Sequence, residues 1–178
     1  MENTHFPWYE VVQGNVIGQG EILLECPVIQ VIASQDINII SPDSIEGKGI
    51  FEDVVVITQA CDLENSKVKD ILLCPHYDVP SYTGMGDGKA KEKALKEIKI
   101  GARPRYCLLN DADIDGVKQN MRIVDLGSVF SLPLEYLQNF SKQKGKRLRL
   151  LPPYRDYLSQ SFARFFMRVG LPQDLSIP

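Results

Sequence analysis

Two short apolar runs separated by a polar connector dominate the pattern of hydrophobic and polar positions along the chain. Residues 54–57 (VVVI) are all β-branched, and residues 71–73 (ILL) follow after the connector 62–67. Both runs are too short for buried helices, and β-branched residues favour strands. Because neither run alternates with polar residues, both faces of each strand are expected to be covered. The pattern therefore predicts two strands at the centre of a sheet or barrel.

Apolar segments on either side of this pair predict further strands and helices. Residues 21–32 form a strand pattern interrupted by Pro27, which cannot donate to a ladder and so indicates a sheet edge or a bulge. Later segments show strand runs in some places and helical spacing in others. The predicted strands are 105–109, 121–126 and 129–132, and the predicted helices are 89–100, 134–140 and 154–169.

The last of these helices has a broad apolar face. Six residues follow helical spacing on that face: Tyr154, Leu158, Phe162, Phe165, Phe166 and Val169. A helix with so much aromatic surface must dock on something. We expect it to pack on this chain's own β structure; the alternative is an interface for a partner protein or for a second copy of the chain in a homodimer. Its outer side carries a row of arginines, Arg155, Arg164 and Arg168.

The composition is that of an ordinary soluble protein. With 178 residues, 44% hydrophobic and 24% charged, the chain is long enough for one domain with a sizeable core. No apolar run reaches the length of a membrane span, and the first residues lack the basic and apolar regions of a secretory signal. The four cysteines are widely spaced in or beside apolar runs, which indicates reduced thiols. We therefore expect a cytoplasmic, single-domain protein over 1–178 that does not bind membranes.

Charge is distributed unevenly, although the net charge is only −3. Residues 141–170 hold eight basic residues and one acid, Asp156, so this segment carries +7 and the rest of the chain −10. Such asymmetry indicates either an anionic partner, RNA or an acidic protein surface, or docking of the basic segment on the chain's own acidic body. The sequence favours neither interpretation over the other.

Polar and sulfur-bearing residues follow the first central strand. Gln59, Cys61 and Asp62 lie where that strand ends, a place where side chains commonly face a ligand or partner. The simpler interpretation makes Asp62 part of a turn and Cys61 a small core residue. Cys61, Cys74 and His76 have the chemistry to bind zinc, or to supply a nucleophile and a base, but no Cys-x-x-Cys spacing supports a metal site. We expect no cofactor.

Two further motifs fail on their spacing. Residues 111–116 open like an EF-hand calcium loop, but Arg122 stands at the twelfth position, where a bidentate glutamate is needed. We expect a hairpin connection there instead. The glycine-rich stretch 84–88 lacks the spacing and the hydroxyl of a phosphate-binding P-loop.

Four short segments occur in a recognisable order: 19–23 (QGEIL), 54–59 (VVVITQ), 71–75 (ILLCP) and 123–129 (IVDLGSV), the last followed by Leu134. Their order resembles that of the MazF/PemK family of small SH3-like barrels, the toxin half of toxin–antitoxin pairs. The resemblance covers roughly residues 14–137. It implies an SH3-like barrel, here over about 8–132. With the helices predicted from the residues, we expect a mainly β, α+β fold with an inserted helix at about 89–100 and a C-terminal helical extension over about 133–170, past the family's usual end.

The residues that carry ribonuclease activity in that family are absent at the matching positions. The family's Arg-Pro pair before its second strand is matched by Glu52 and Asp53, and its threonine after the third strand by Tyr77. Two acids in place of a cation would repel RNA. The resemblance thus implies the fold and a bacterial toxin–antitoxin, stress or phage-defence setting, without the family's activity.

We therefore expect a non-catalytic binding or regulatory module. It would hold a protein partner, or RNA through the basic C-terminal segment, by the strand-end residues and Tyr77 or by the arginine row. One alternative is an endoribonuclease with a rebuilt site, which needs Arg103, Arg105 or a C-terminal arginine close to Gln59 and Tyr77. A second is a cysteine- or zinc-dependent enzyme, which needs the two cysteines and the histidine named above within ligand distance.

Overall fold

The computed structural model describes residues 6–32, 46–65 and 67–167. Within these ranges the chain has an α+β fold of ten strands in antiparallel sheets and four helices. The strands are β1 (Tyr9–Val12), β2 (Ile22–Ile32), β3 (Glu46–Val56), β4 (Asp70–Asp78), β5 (Tyr106–Leu109), β6 (Ala112–Ile114), β7 (Val117–Gln119), β8 (Arg122–Asp125), β9 (Phe130–Pro133) and β10 (Arg147–Leu150). The helices are α1 (Ala60–Glu64), α2 (Lys89–Lys99), α3 (Leu134–Lys144) and α4 (Tyr154–Phe166).

The two apolar runs form adjacent strands at the centre of the largest sheet, as predicted. Its strand order is β2-β3-β4-β8-β5, and β9 also pairs with β4. Val55 lies opposite Cys74, and both are fully buried. The order ends at β2 and β5, and these strands do not pair with each other in the described residues. The SH3-like barrel therefore stays a prediction, whereas the α+β class is established.

Pro27 lies on an edge strand beside an irregularity, so the structure shows both of the alternatives that the sequence left open. The register of β2 against β3 shifts between Leu23 and Cys26, and Glu25 in this shift has a positive φ of 51°. The backbone N–H of Glu25 donates to the Asp53 carboxylate at 2.8 Å. The strand continues through Pro27, which pairs with Phe51, because an edge strand tolerates a missing donor.

The segment that resembles a calcium loop is a two-stranded hairpin. Ala112 lies opposite Gln119 and Ile114 opposite Val117, which leaves Asp115 and Gly116 as the turn. Both turn residues have positive φ, as the mirror-image turns of tight hairpins require. The hairpin expectation is confirmed.

Helix α4 packs on the chain's own β structure. Leu158 is 1% exposed and belongs to the main apolar cluster, against which Tyr154, Phe162 and Phe165 also pack. Phe166 at the end of the helix is half exposed. The expectation that this helix covers its own β structure is confirmed. No helix within the described ranges is long and apolar enough to cross a membrane.

The C-terminal extension is not wholly helical, which the sequence analysis did not anticipate. Residues Arg147–Leu150 form β10, which pairs with β1. The order Arg-Leu-Arg-Leu is a strand pattern of period two, and its two leucines are buried. The predicted helical extension over about 133–170 is therefore wrong at these four residues.

Candidate functional site

The basic C-terminal segment is anchored on a buried carboxylate. Glu21 is fully buried, and its two oxygens accept from Arg147 Nε at 2.7 Å and from Arg149 at 2.9 Å. Arg147 is itself 4% exposed and also donates to the backbone carbonyls of Ser141 and Gly14. A buried ion pair of this kind needs such additional hydrogen bonds to offset its desolvation. These two arginines therefore hold β10 on the body of the chain.

Other cations of this segment also have partners within the chain. Lys144 Nζ donates to the Glu25 carboxylate at 2.8 Å, and Lys146 Nζ donates to the Asp115 carbonyl at 3.1 Å. Arg155 contacts the neighbouring Asp156 at 3.4 Å. Of the two sequence interpretations, these contacts favour docking of the basic segment on the chain's own acidic body.

The predicted strand-end residues meet helix α4. Gln59 and Asp62 line a cavity of about 250 Å³ together with Ser159 and Phe162. The Ser159 hydroxyl accepts from the amides of both Gln19 and Gln59, and the Gln19 oxygen accepts from the backbone N–H of Ala60. Gln59 therefore ties the end of β3 to α4, so part of its hydrogen-bonding capacity serves the fold.

The arginine row lies on the outer side of α4 only in part. Arg164 is exposed, and Arg155 lines a small cavity of about 140 Å³ beside Gln19. Arg168 lies outside the described residues. The cavity that Arg155 lines does not have Arg164 in its lining.

The zinc hypothesis is wrong for the residues that the structure describes. No group of three histidine, cysteine, aspartate or glutamate side chains in these ranges could hold a metal ion. Cys61 is exposed on α1, where its thiol contacts Asp62 at 3.8 Å, so it is not the core residue of the simpler interpretation. Cys74 and His76 are buried in β4, and burial raises the pKa of the Cys74 thiol to about 12. A thiol with this pKa is not a nucleophile at neutral pH.

Tyr77 lines a different cavity from Gln59 and Asp62. This cavity, here called the Tyr77 cavity, has a volume of about 470 Å³ and is lined by residues from β2, β3, β4 and β8 and from the loop after β4. The rings of Tyr77 and Tyr82 stack with centroids 4.9 Å apart and form one wall. Apart from Phe51, the rest of the lining is charged or polar and includes Glu25, Glu52, Asp53, His76, Asp78 and Arg122.

Arg122 is the functional candidate that the sequence analysis missed. It opens β8 directly opposite Asp78, and its guanidinium donates to the Asp53 carboxylate at 3.1 Å. The Arg122 Nε atom is buried without a hydrogen-bond partner. An arginine directly before the buried pair Ile123 and Val124 was a partial signal for a buried ion pair. Its partner lies 69 residues earlier in the chain, however, so the sequence could not supply the pairing.

His76 is neutral in this cavity. The side chain is 1% exposed, and neither ring nitrogen has a hydrogen-bond partner of good geometry. Burial, and to a lesser extent the charge of Arg122, lower the pKa of His76 to about 3, although the Val54 backbone opposes both effects. Because the imidazolium is inaccessible at neutral pH, His76 cannot act there as a general acid.

The carboxylates of the Tyr77 cavity differ in their electrostatic surroundings. Burial raises the pKa of Glu52, and the neighbouring Asp53 charge raises it further. Burial acts to raise the pKa of Asp78 as well, but hydrogen bonds from Asn120 and Ser81 outweigh it and hold this pKa below its usual value. One Asp78 oxygen is nevertheless buried without a hydrogen-bond partner.

The arginines that a rebuilt nuclease site was expected to use are engaged elsewhere. Arg103 pairs with Glu97 at 2.7 Å, and Arg105 forms a two-bond pair with Asp125 at 2.8 Å for each bond. Neither lines the Tyr77 cavity. Arg122 is the cation that the described structure places there.

Comparison of the sequence with protein-family models and with curated proteins finds no match. The resemblance to the MazF/PemK family therefore stays a prediction, carried by the order of the four short segments.

Proposed function

We propose that this chain is a non-catalytic binding module on a MazF/PemK-like, SH3-like scaffold, and that it holds a positively charged side chain of a partner protein in the Tyr77 cavity. The observation that carries the proposal is the excess of carboxylates in the lining. Four acids line the cavity, Glu25, Glu52, Asp53 and Asp78, against the single guanidinium of Arg122. A lining with this charge favours a cation and repels a phosphate.

Two of these acids have no cation of their own. Asp53 is held by Arg122, and Glu25 is held by Lys144. Glu52 and Asp78 have no ion-pair partner within the described residues, and Asp78 keeps a buried oxygen without a donor. Both carboxylates are only partly exposed and lack a counter-ion, so a basic side chain that donates to both would form charge-assisted hydrogen bonds with them.

The aromatic wall suits the same ligand. The stacked rings of Tyr77 and Tyr82 offer an apolar face for the methylene stem of an arginine or lysine. A guanidinium over a tyrosine face also gains a cation–π interaction. The cavity thus supplies both parts of the recognition, a surface for the stem and carboxylates for the head.

The resemblance adds the setting to this proposal. Glu52, Asp53 and Tyr77 match the positions of the family's ribonuclease residues, and all three line one cavity. This shared location supports a site at the family's usual place, with its charge reversed. A toxin–antitoxin, stress or phage-defence locus follows by analogy alone.

An endoribonuclease with a rebuilt site is the second candidate, and Arg122 is the observation that favours it. This cation lies in the cavity where the resemblance would place the scissile phosphate. Two features oppose it: Asp53 already neutralises Arg122, and His76 is neutral. Catalysis would require the arginine to leave its partner.

Labelled single-stranded RNA distinguishes the two functions. The purified chain is incubated with it without metal ions, at low and high salt, beside an Arg122→Gln variant. The binding-module proposal predicts no cleavage and no salt-sensitive gel shift, because the cavity is acidic and the basic segment is engaged. Cleavage that Arg122→Gln abolishes would refute it and establish the nuclease.

A further inference from the structure

A second cavity lies between α2, β5 and the beginning of α4. This cavity, here called the Trp8 cavity, has a volume of about 540 Å³, which is in the range of small-molecule sites. Most of its lining is apolar or aromatic, including Trp8, Leu108, Met121, Tyr154 and Tyr157. It shares no lining residue with the Tyr77 cavity. An inference about it therefore stands apart from the proposed binding of a basic side chain.

One wall of the Trp8 cavity is already ordered. The indole of Trp8 stacks on the ring of Tyr154 with centroids 3.7 Å apart and an interplanar angle of 8°. The Tyr154 hydroxyl donates to the Phe6 carbonyl at 3.3 Å, which fixes the ring from its far end. Ile98 and Leu109, which are buried, also line the cavity. An apolar ligand would therefore meet a preformed surface, which lowers the entropy cost of binding.

The lining of the Trp8 cavity includes one charged residue, which is positive. Lys99, at the end of α2, is the charged residue of the lining, and no acid accompanies it. The nearby Glu97 carboxylate is bound to Arg103 and Lys93 instead. Within the described ranges Lys99 has no ion-pair partner, so its ammonium is available to a ligand.

We propose that the Trp8 cavity binds a small molecule with an apolar body and a single carboxylate. The body lies against the rings of Trp8, Tyr154 and Tyr157, where it removes apolar surface from water. The carboxylate pairs with Lys99 at the cavity rim. The charge of the lining selects this ligand class, because an amine of the same shape would face the lysine and find no acid.

Decanoate, decanol and decylamine test the proposal on the full chain. They have similar apolar bodies and differ in the charge of the head group. Each is titrated below its micelle concentration by calorimetry and by the fluorescence of Trp8, the single tryptophan of the chain. We expect saturable, one-site binding that is tightest for decanoate and weakest for decylamine, with a change in Trp8 emission.

Two lysine variants make the matched comparison. Lys99→Glu should weaken decanoate binding about tenfold or more, because it removes a charge-assisted contact and adds repulsion. Lys96→Glu makes the same charge change on the same helix, at an exposed residue outside the lining, and should leave the affinity unchanged. The proposal is overturned if Lys99→Glu binds decanoate as well as the native chain does. It is equally overturned if decylamine binds as tightly, or if decanoate fails to bind because a second copy of the chain occupies the cavity.

Discussion

The neutral, buried His76 makes a quantitative prediction about acid stability. The ordinary histidine pKa is 6.5, and in the folded chain burial lowers it to about 3. At a pH between these two pKa values, the histidine is protonated in the unfolded chain and neutral in the folded chain. The free energy of unfolding is therefore unaffected above pH 6.5 and falls as the pH drops below it. For one such group the loss between pH 7 and pH 5 is about 2 kcal/mol.

Replacing His76 by leucine isolates this contribution. The two side chains have similar volumes, and neither imidazole nitrogen makes a hydrogen bond of good geometry that the leucine would lose. At pH 7 the substitution should therefore change stability little. At pH 5 the variant should be more stable than the native chain by about 2 kcal/mol, because it has no proton to take up on unfolding.

Urea denaturation at the two pH values measures the effect. Both proteins carry His5→Gln, so that the second histidine of the chain does not contribute. The carboxylates titrate alike in the two proteins, so their contribution cancels in the difference between the two free energies of unfolding. If the pH dependence of native chain and variant agrees within about 0.5 kcal/mol, His76 is not held neutral and the account of its burial is wrong.

Three further predictions concern charge and packing. Glu21→Ala leaves Arg147 buried without its counter-ion and should lower the free energy of unfolding, measured by chemical denaturation, by about 3–5 kcal/mol. The control Glu10→Ala, at an exposed ion pair, should lower it by less than about 1 kcal/mol. Equal effects of the two substitutions would contradict the buried network. Leu158→Ala should lower the free energy of unfolding by about 2–5 kcal/mol, and a value near zero would show that α4 is not part of the core. Glu52→Gln should raise the free energy of unfolding at neutral pH, because burial and the Asp53 charge disfavour the ionised Glu52 carboxyl. This gain should vanish below the ordinary glutamate pKa. A variant less stable than the native chain at pH 7 would contradict the raised pKa of Glu52.

The sequence was informative where burial imposes a simple pattern. The apolar run over 54–57 predicts a central strand because a strand covered on both faces has no polar positions. Pro27 marks an edge because it cannot donate. The apolar face of α4 predicts docking, and Leu158 confirms it. In each case local chemistry alone restricts the fold.

Pairings between residues far apart in the chain could not be predicted from the sequence. Arg147 and Arg149 look like solvated cations, because their carboxylate, Glu21, lies more than 120 residues away. The candidate site shows the same limit. Arg122 and Asp53 meet only because β3 and β8 both flank β4, and nothing local to either residue indicates that neighbourhood.

The prediction that the residues after the first central strand and Tyr77 form one binding surface combined residues that the fold separates. Gln59 lies at the end of β3 and meets α4, whereas Tyr77 lies near the end of β4 and meets Tyr82. Adjacent antiparallel strands run in opposite directions, so the C-terminal end of β3 lies beside the N-terminal end of β4, and the two C-terminal ends lie far apart. This geometry explains why one predicted site is observed as two cavities.

Titration of the full chain with N-acetyl-arginine methylamide, followed by nitrogen–proton correlation NMR, tests the central claim most directly. The glutamate analogue and a Glu52→Gln, Asp78→Asn double variant are the controls. The account predicts saturable shifts at the amides of Tyr77, Asp78 and Arg122 with the arginine compound, and none with the glutamate analogue or in the variant. Shifts that the glutamate analogue reproduces, or no shift at these amides, would contradict the claim that the Tyr77 cavity receives a basic side chain.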